Sequence, residues 1–428
     1  MSATRPHYPW AEGDALFASE LNAAIANAGT GVTNVRNFGA TGDGVTNDTA
    51  ALQAAADALP ATGGMLLFPA GVYAVTQAIR IPSNTIVQGQ GATLLAASSG
   101  FTADSQLLMN KSSAVTTLTD HDIIIRDMAF DYGTPGVAIG GSHAIDMAFV
   151  RNASVVNCTF QCRGAGNAIA LIGCYNTLVD GCTAYGFTNC AYDHWWGPRQ
   201  ARLVNCYAET VASNQMINFN PEPTSNAPGY TAVGFVVANN QFKGTGAVAI
   251  PMQLEPLATG NTVTDILVTG NLFTNVTLTI RGAVTSAAIV GNIFETVLGG
   301  APAIISFAQF GQTPANLTIV GNVVNNPATS SANTAVILAL EPDVAIVGNS
   351  VQGPGPTYSS YSYSVGTNTA VTFANAVNVT GRGPPEVGFV LNNETGFVAA
   401  ASDAAAAAAG VPLRGLYENA GAVRIRKV

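Results

Sequence analysis

Charged side chains are scarce in this sequence. Only 10% of its 428 residues are Asp, Glu, Lys or Arg, where an average globular domain carries about a quarter. Lysine occurs only as Lys111, Lys243 and Lys427. With Lys plus Arg at 16 against Asp plus Glu at 25, the net charge is -9 and the pI about 4.8. That balance excludes nucleic acid and anionic membrane as main partners, because both are held through surplus positive charge. Long apolar runs are missing too: no window approaches a membrane-spanning length of about 18 residues, so no membrane span is expected. The opening MSATRPHYPWAEGDALF lacks the apolar stretch of a secretory signal peptide, so synthesis in the cytoplasm is expected. Cysteine is confined: Cys158, Cys162, Cys174, Cys182, Cys190 and Cys206 all fall within 49 residues. No CxxC or HxxxH spacing marks a metal site, and none is assigned.

What the chain does have is a repeated phrase, an apolar strand closing on a small polar turn. It reads IIIRDMAF, SVVNCTF, TLVDGCTAY, RLVNCYAE, FVVANNQF, ILVTGNLF, AIVGNIF, TIVGNVV and AIVGNSV. The equivalent anchors are Met128, Cys158, Cys182, Cys206, Asn240, Asn271, Asn292, Asn322 and Asn349. Their spacings are 30, 24, 24, 34, 31, 21, 30 and 27 residues. Strand-rich units at such periods, without helical periodicity, predict a right-handed parallel β-helix, an all-β solenoid. Equivalent positions of successive coils then stack at about 4.8 Å. The cysteines become an internal ladder of small polarizable groups, continued by a ladder of hydrogen-bonded Asn amides.

Ahead of these coils stands NVRNFGATGDGVTNDTAALQAAADALPATGGMLLFPAGVYAV, Asn34 to Val75. A Gly-rich turn (Gly39, Gly42, Gly44) leads to an expected helix cap at Asp48/Thr49, an Ala-rich amphipathic helix, a strand and a Pro-Ala-Gly turn. Such a helix would cover the open end of a solenoid. This segment resembles the N-terminal signature of the pectate-lyase-like superfamily of right-handed β-helices. That superfamily spans polygalacturonase- and rhamnogalacturonase-type enzymes, uronate epimerases, intramolecular fructotransferases and phage tailspikes. The stretch PWAEGDALFASELNAAIANA (residues 9–28) is similar to the short head of phage and prophage tail proteins. AAAAAAGVPLRGLYENAGAVRIRKV (residues 404–428) is similar to a small C-terminal helix-plus-hairpin of the same proteins. The resemblance implies a homotrimer, associated with a phage tail or virion or released outside the cell. Three parts are expected: an N-terminal head over 1–33, the β-helix over 34–380, and a C-terminal helix and hairpin over 381–428 as the trimerisation element.

One strand of each coil precedes the anchor strand: HAIDMAFV, NAIALIGC, CAYDHWWG, QMINFNPE and VAIPMQLE. Side chains alternate along a strand. The columns Ile145, Ile169, Tyr192, Ile217, Ile250 and Met147, Leu171, His194, Phe219, Met252 should therefore point into the solenoid. The columns Asp146, Ala170, Asp193, Asn218, Pro251 and Ala148, Ile172, Trp195, Asn220, Gln253 should point out, with Glu222 and Glu255 sharing a further outer column. Candidate catalytic groups are Asp193, Glu255, Glu222 and Asp146. Candidate substrate-binding residues are Trp195, Trp196, Asn218, Asn220, Gln253, Arg199 and His194, although the register turns His194 inward.

An exposed Trp beside carboxylates suits a sugar ring, so the expected partner is a polysaccharide or oligosaccharide. Asp146 and Asp193, two coils apart at about 9.6 Å, lie near the upper limit for an inverting acid/base pair, about 6.5–9.5 Å. Glu222 and Glu255, on adjacent coils about 5 Å apart, would suit a retaining pair, although Pro221 and Pro251 threaten that register. Hydrolysis by paired carboxylates without a cofactor is the favoured reading. The alternatives are a uronate lyase using Arg163, Arg199 or His194 with Ca2+, an intramolecular glycosyl or fructosyl transferase, and a glycan-binding tail or adhesin module that does not cut. The DD, GHG and RIK set of polygalacturonases is not found in matching positions. The strands LTIRGAV, AIISFAQF and AVILALE show less chemistry.

Overall fold

In the computed structural model every strand pairing of the solenoid is parallel, and successive coils pair with one another from Val32 to Val379. The described residues are 31–97, 106–133 and 142–325, with breaks at 165, 212, 223–228, 257, 296, 298–302 and 308–311. Beyond these come the segments 337–339, 344–353, 363–365, 370–371, 376–379, 402–408, 416–419 and 422–425. The expected head, residues 9–28, lies outside them. The architecture is a right-handed parallel β-helix, as the repeats predict.

The strands form a 24-stranded assembly around the anchor positions and a separate 11-stranded sheet. The second sheet carries the candidate site. In chain order its strands are β1 (Ile79–Ile81), β2 (Leu108–Asn110), β3 (His143–Ala148), β4 (Asn167–Ile172), β5 (Cys190–Trp195), β6 (Ile217–Phe219), β7 (Ile250–Leu254), β8 (Val276–Arg281), β9 (Ile304–Phe307), β10 (Ile337–Ala339) and β11 (Tyr363–Val365).

Inside, like residues stack from rung to rung. Phe130 lies flat on Phe160 at 5.1 Å, and Phe242, Phe273 and Phe294 form a second stack at 5.6 and 4.7 Å. The anchor ladders are present. Cys158, Cys182 and Cys206 are buried free thiols, as are the other three cysteines. The backbone N–H of Cys206 donates to Asn240 Oδ1 at 2.8 Å, where the thiol ladder passes into the amide ladder. From there each Asn Nδ2 donates to the Oδ1 of the next: Asn240 to Asn271, Asn271 to Asn292, Asn292 to Asn322 and Asn322 to Asn349, at 2.9–3.0 Å. Each Nδ2 also donates to a backbone carbonyl at 2.9 Å, as Asn292 does to Val268. Asn occupies this column because one side chain meets buried donors and acceptors on both sides, and a buried group left unpaired costs about 1–3 kcal/mol.

At the N-terminal end the helix Thr49–Asp57 buries Leu52, Ala55 and Ala56 against the first coil. Asp48 stands at the N-cap as expected, but its side chain makes no cap bond to this helix. Its carboxylate instead accepts from Thr41 N, Thr41 Oγ1 and Gly42 N at 2.8–3.0 Å, pinning the Gly-rich turn. Asn47, one residue before the cap, accepts from Thr49 N through its Oδ1 at 3.1 Å. Near the C-terminus a helix, Asp403–Ala408, precedes an antiparallel hairpin of Leu416–Asn419 with Ala422–Ile425.

Candidate functional site

Alternation along β3 to β5 behaves as the repeats predict. Ile145, Ile169 and Tyr192 are in register and fully buried, as are Met147, Leu171 and His194. The outward column runs Asp146, Ala170, Asp193, Asn218. Upstream it continues through Met109 of β2 to Arg80 of β1.

Between β6 and β7 the predicted register is wrong by two residues. Asn218 pairs with Gln253 rather than Pro251, and Ile217 pairs with Met252 rather than Ile250. Gln253 therefore joins the Asp193 column, not that of Asn220. Glu255 follows the pair Phe219–Leu254 and reaches the row of Asn220, so the expected side-by-side placement of Glu222 and Glu255 is not formed. A two-residue slip preserves which side chains face outward and changes only their neighbours.

The two glutamates have separate local partners. Glu222 Oε1 accepts from Ala258 N at 3.1 Å and Asn261 Nδ2 at 2.6 Å, while Asn261 Oδ1 accepts from Tyr230 N at 2.8 Å. Glu222 thus ties together the segments that follow β6 and β7. Glu255 is ion-paired with Arg281 at the end of β8. Arg281 lies in LTIRGAV, a strand from which the sequence led us to expect little chemistry, and the isolated arginine gave no signal of its position.

The outward carboxylates are not solvated. Asp146 and Asp193 are each 7% exposed, beside Asn218 and Asn220 at 6% and 7%. Burial raises the Asp146 carboxyl to about 7, with the Asp193 charge adding to the rise and Arg80 opposing it. Burial also raises Asp193 to about 6, opposed by hydrogen bonds from Asn218 and Asn167. Both Asp193 oxygens are occupied: Oδ1 accepts from Asn218 Nδ2 at 2.9 Å and Oδ2 from Asn167 Nδ2 at 2.8 Å. Asn167 is in turn held by Asn189, and Asn189 by Asn214, at 2.9 and 3.0 Å. By contrast Asp146 Oδ1, Asn218 Oδ1 and Asn220 Oδ1 are buried acceptors without a partner.

His194 is corrected as a substrate contact. It points inward, is fully buried and packs against the stacked pair Phe219 and Phe235, with ring centroids at 6.4 and 5.1 Å. Neither ring nitrogen has a hydrogen-bond partner, and burial lowers its pKa to about 3.

Trp195 is half-buried on the outer face, in register with Ile172. Trp196 occupies the corner that follows β5, with φ 67°. The equivalent corner two coils earlier holds Phe149, φ 55°, and its ring meets Trp196 edge-on at 4.9 Å. Gly173 lies between them, and a Cβ there would stand 2.6 Å from Phe149 Cε1. A left-handed backbone costs a bulky residue about 1–3 kcal/mol. Arg199 begins the next strand beyond this corner, is exposed, and lays its guanidinium over the Tyr175 ring at 5.4 Å. Arg163 lies elsewhere, ion-paired with Asp131 at 2.5 Å.

Comparison with known proteins agrees with this architecture. The sequence family described as rhamnogalacturonase A/epimerase, pectate lyase-like, matches residues 32–290. Mannuronan C5-epimerase AlgE3 of Azotobacter vinelandii is 47% identical over 66 residues, 14% of this chain and 4% of that protein. The pre-neck appendage protein of Bacillus phage phi29 is 23% identical over 240 residues, 49% of this chain and 26% of that protein. The chain thus spans only a small part of the length of these relatives. Among solved structures, a tailspike protein of E. coli bacteriophage HK620 in complex with pentasaccharide superimposes with TM-score 0.60 at 16% identity, covering 84% of this chain and 68% of that one. The family 28 exopolygalacturonase of Yersinia enterocolitica gives 0.58 at 16% identity, covering 83% and 79%. At such identities these likenesses establish the fold alone.

Proposed function

Because the chain belongs to the rhamnogalacturonase A/epimerase, pectate-lyase-like family, we propose that it binds a polysaccharide along the outer face of β3 to β8 and hydrolyses it with Asp146 and Asp193. The observation that carries this reading is the pair itself: two buried carboxyls in one column, raised to about 7 and about 6, separated by the small Ala170. Two rungs give about 9.6 Å, at the upper edge of the separation that admits a water molecule in inverting hydrolysis.

Between those two values Asp193 is the carboxylate and Asp146 still carries its proton. In the proposed step Asp146 gives that proton to the leaving glycosidic oxygen. Asp193 takes a proton from the water that attacks the anomeric carbon on the opposite face. Asn167 and Asn218 keep Asp193 ionised by donating to both of its oxygens. Trp195 supplies an apolar surface beside the acids, and Asn218 shares the column of Asp193.

A second reading is a glycan-binding surface that does not cut. It draws support from Asp193 itself, whose oxygens are both taken by amide donors in a manner that also suits a structural carboxylate. The phage appendage and tailspike likenesses support placing the protein on a phage-derived particle. The Ala-rich helix and hairpin near the C-terminus are proposed to trimerise the chain, which analytical ultracentrifugation checks.

The deciding experiment incubates the protein with a panel of polysaccharides and follows new reducing ends and unsaturated uronate absorbance in parallel. Reducing ends without unsaturation support hydrolysis. Unsaturated products sink it in favour of elimination, and binding without products favours the non-cutting reading.

A further inference from the structure

Sixteen residues other than glycine have positive φ among the described residues, and eleven of them are Asn or Asp, the types that tolerate this backbone best. Only two are aromatic, Phe149 and Trp196. They occupy the same corner of the coil, as the bonds from Phe149 N to Ile172 O and from Gly173 N to Trp195 O show, both 2.7 Å. The intervening coil has glycine there, which leaves room for the Phe149 ring to lie across it. The Trp195 ring continues the apolar surface at 6.0 Å from Trp196, inclined by 31°. All three rings are half-buried. Packing alone does not explain this corner. Glycine or Asn there would relieve the backbone, as glycine does at Gly173 in the coil between them.

We propose that Phe149, Trp195 and Trp196 form a subsite for the apolar face of a pyranose ring, next to Asp146 and Asp193 and resting on the glycan reading above. Pyranoses carry a patch of C–H bonds that aromatic faces receive favourably, and three contiguous rings span more than one such patch. Two exposed cations flank the corner along the chain, Arg151 two residues after Phe149 and Arg199 three after Trp196, the latter laid over Tyr175, so neutral and acidic pyranoses are both admitted. Backbone strain held at a rim of aromatic rings is the expected signature of a binding surface retained at the expense of stability.

The test uses the full chain in affinity electrophoresis through gels containing galactan, arabinogalactan, dextran or polygalacturonate, with thermal unfolding measured alongside. Wild type is expected to be retarded in at least one of these gels. Trp196→Gly and Trp196→Asn, both suited to the left-handed backbone, are expected to weaken that retardation about tenfold or more while Tm stays level or rises. Phe149→Asn is expected to act in the same direction. No retardation in any gel, or retardation that survives these substitutions, overturns the subsite. Asp193→Asn separates this inference from the proposed chemistry. It should keep full retardation, and if it also keeps full turnover the cleavage mechanism fails while the subsite stands.

Discussion

Asp146 and Asp193 share one outward column of the solenoid, two rungs apart, with only the methyl group of Ala170 between them. Neither is paired with a cation in an ion pair among the described residues, and each is 7% exposed. Their separation in titration follows from their partners. Asp193 has two amide donors, whereas Asp146 has an oxygen with none and stands within the field of Asp193.

The first prediction concerns the pH profile of cleavage. The kcat/KM of the wild type should be bell-shaped, with limbs near 6 and 7 that belong to the coupled pair. Asp193→Asn and Asp146→Asn should each lower kcat by about 10²–10⁴-fold. A profile flat from pH 5 to 9 would show that this pair does not perform the acid–base step.

The same carboxyls affect stability with a defined sign. Both folded pKa values are raised, so the folded chain binds protons more tightly than the unfolded chain. Their contribution is fully present below about 4 and is lost as pH rises through about 6 to 7. The double substitution Asp146→Asn with Asp193→Asn should therefore stabilise the chain at pH 8 but have little effect at pH 4. Urea midpoints at the two pH values provide the check.

His194 gives the opposite slope. Its folded pKa is lowered to about 3 by burial, so the unfolded chain binds the extra proton and stability rises with pH from about 3 to about 6.5. His194→Phe removes two unpartnered buried nitrogens and should stabilise the chain by about 1–3 kcal/mol. It should also abolish that part of the pH dependence in chemical denaturation.

The amide ladder makes a position-specific prediction. Asn292→Ala deprives Asn271 N, Asn271 Nδ2 and Val268 O of their partners at once. The expected loss is about 3 kcal/mol or more, since each buried group left unpaired costs about 1–3 kcal/mol. Equilibrium unfolding in urea should show the drop, while glycan binding at the distant outer face stays unchanged.

The cysteines provide the last check. All six are buried and unpaired, and burial raises the Cys182 and Cys190 thiols well above their ordinary range. A thiol reagent should label none of them in the folded protein and all six in denaturant. Labelling in the native state would contradict the ladder.

The solenoid was legible in the sequence because its ladders repeat like residues at like positions. The run of Asn240, Asn271, Asn292, Asn322 and Asn349 is visible even though its spacing varies. The outward turn of Asp146 and Asp193 and the inward turn of His194 were legible for a simpler reason, since side-chain direction alternates with each residue of a strand. Phe149 was missed because nothing in HAIDMAFV shows that its backbone is left-handed. Arg281 was missed because its meaning lies in its contact with Glu255, which comes from the previous coil.

What the sequence determined by itself was therefore period and parity: which residues recur, and which face of the strand each one takes. Tertiary structure alone decided the pairing between coils. After β6 the connecting segment is long, and pairing could settle in either of two registers two residues apart without changing which side chains are buried. The contacts that distinguish those registers, Asn218 with Gln253 and Glu255 with Arg281, join residues far apart in the chain. That choice separated Glu222 from Glu255, and it left Asp146 and Asp193 as the carboxylate pair of the outer face.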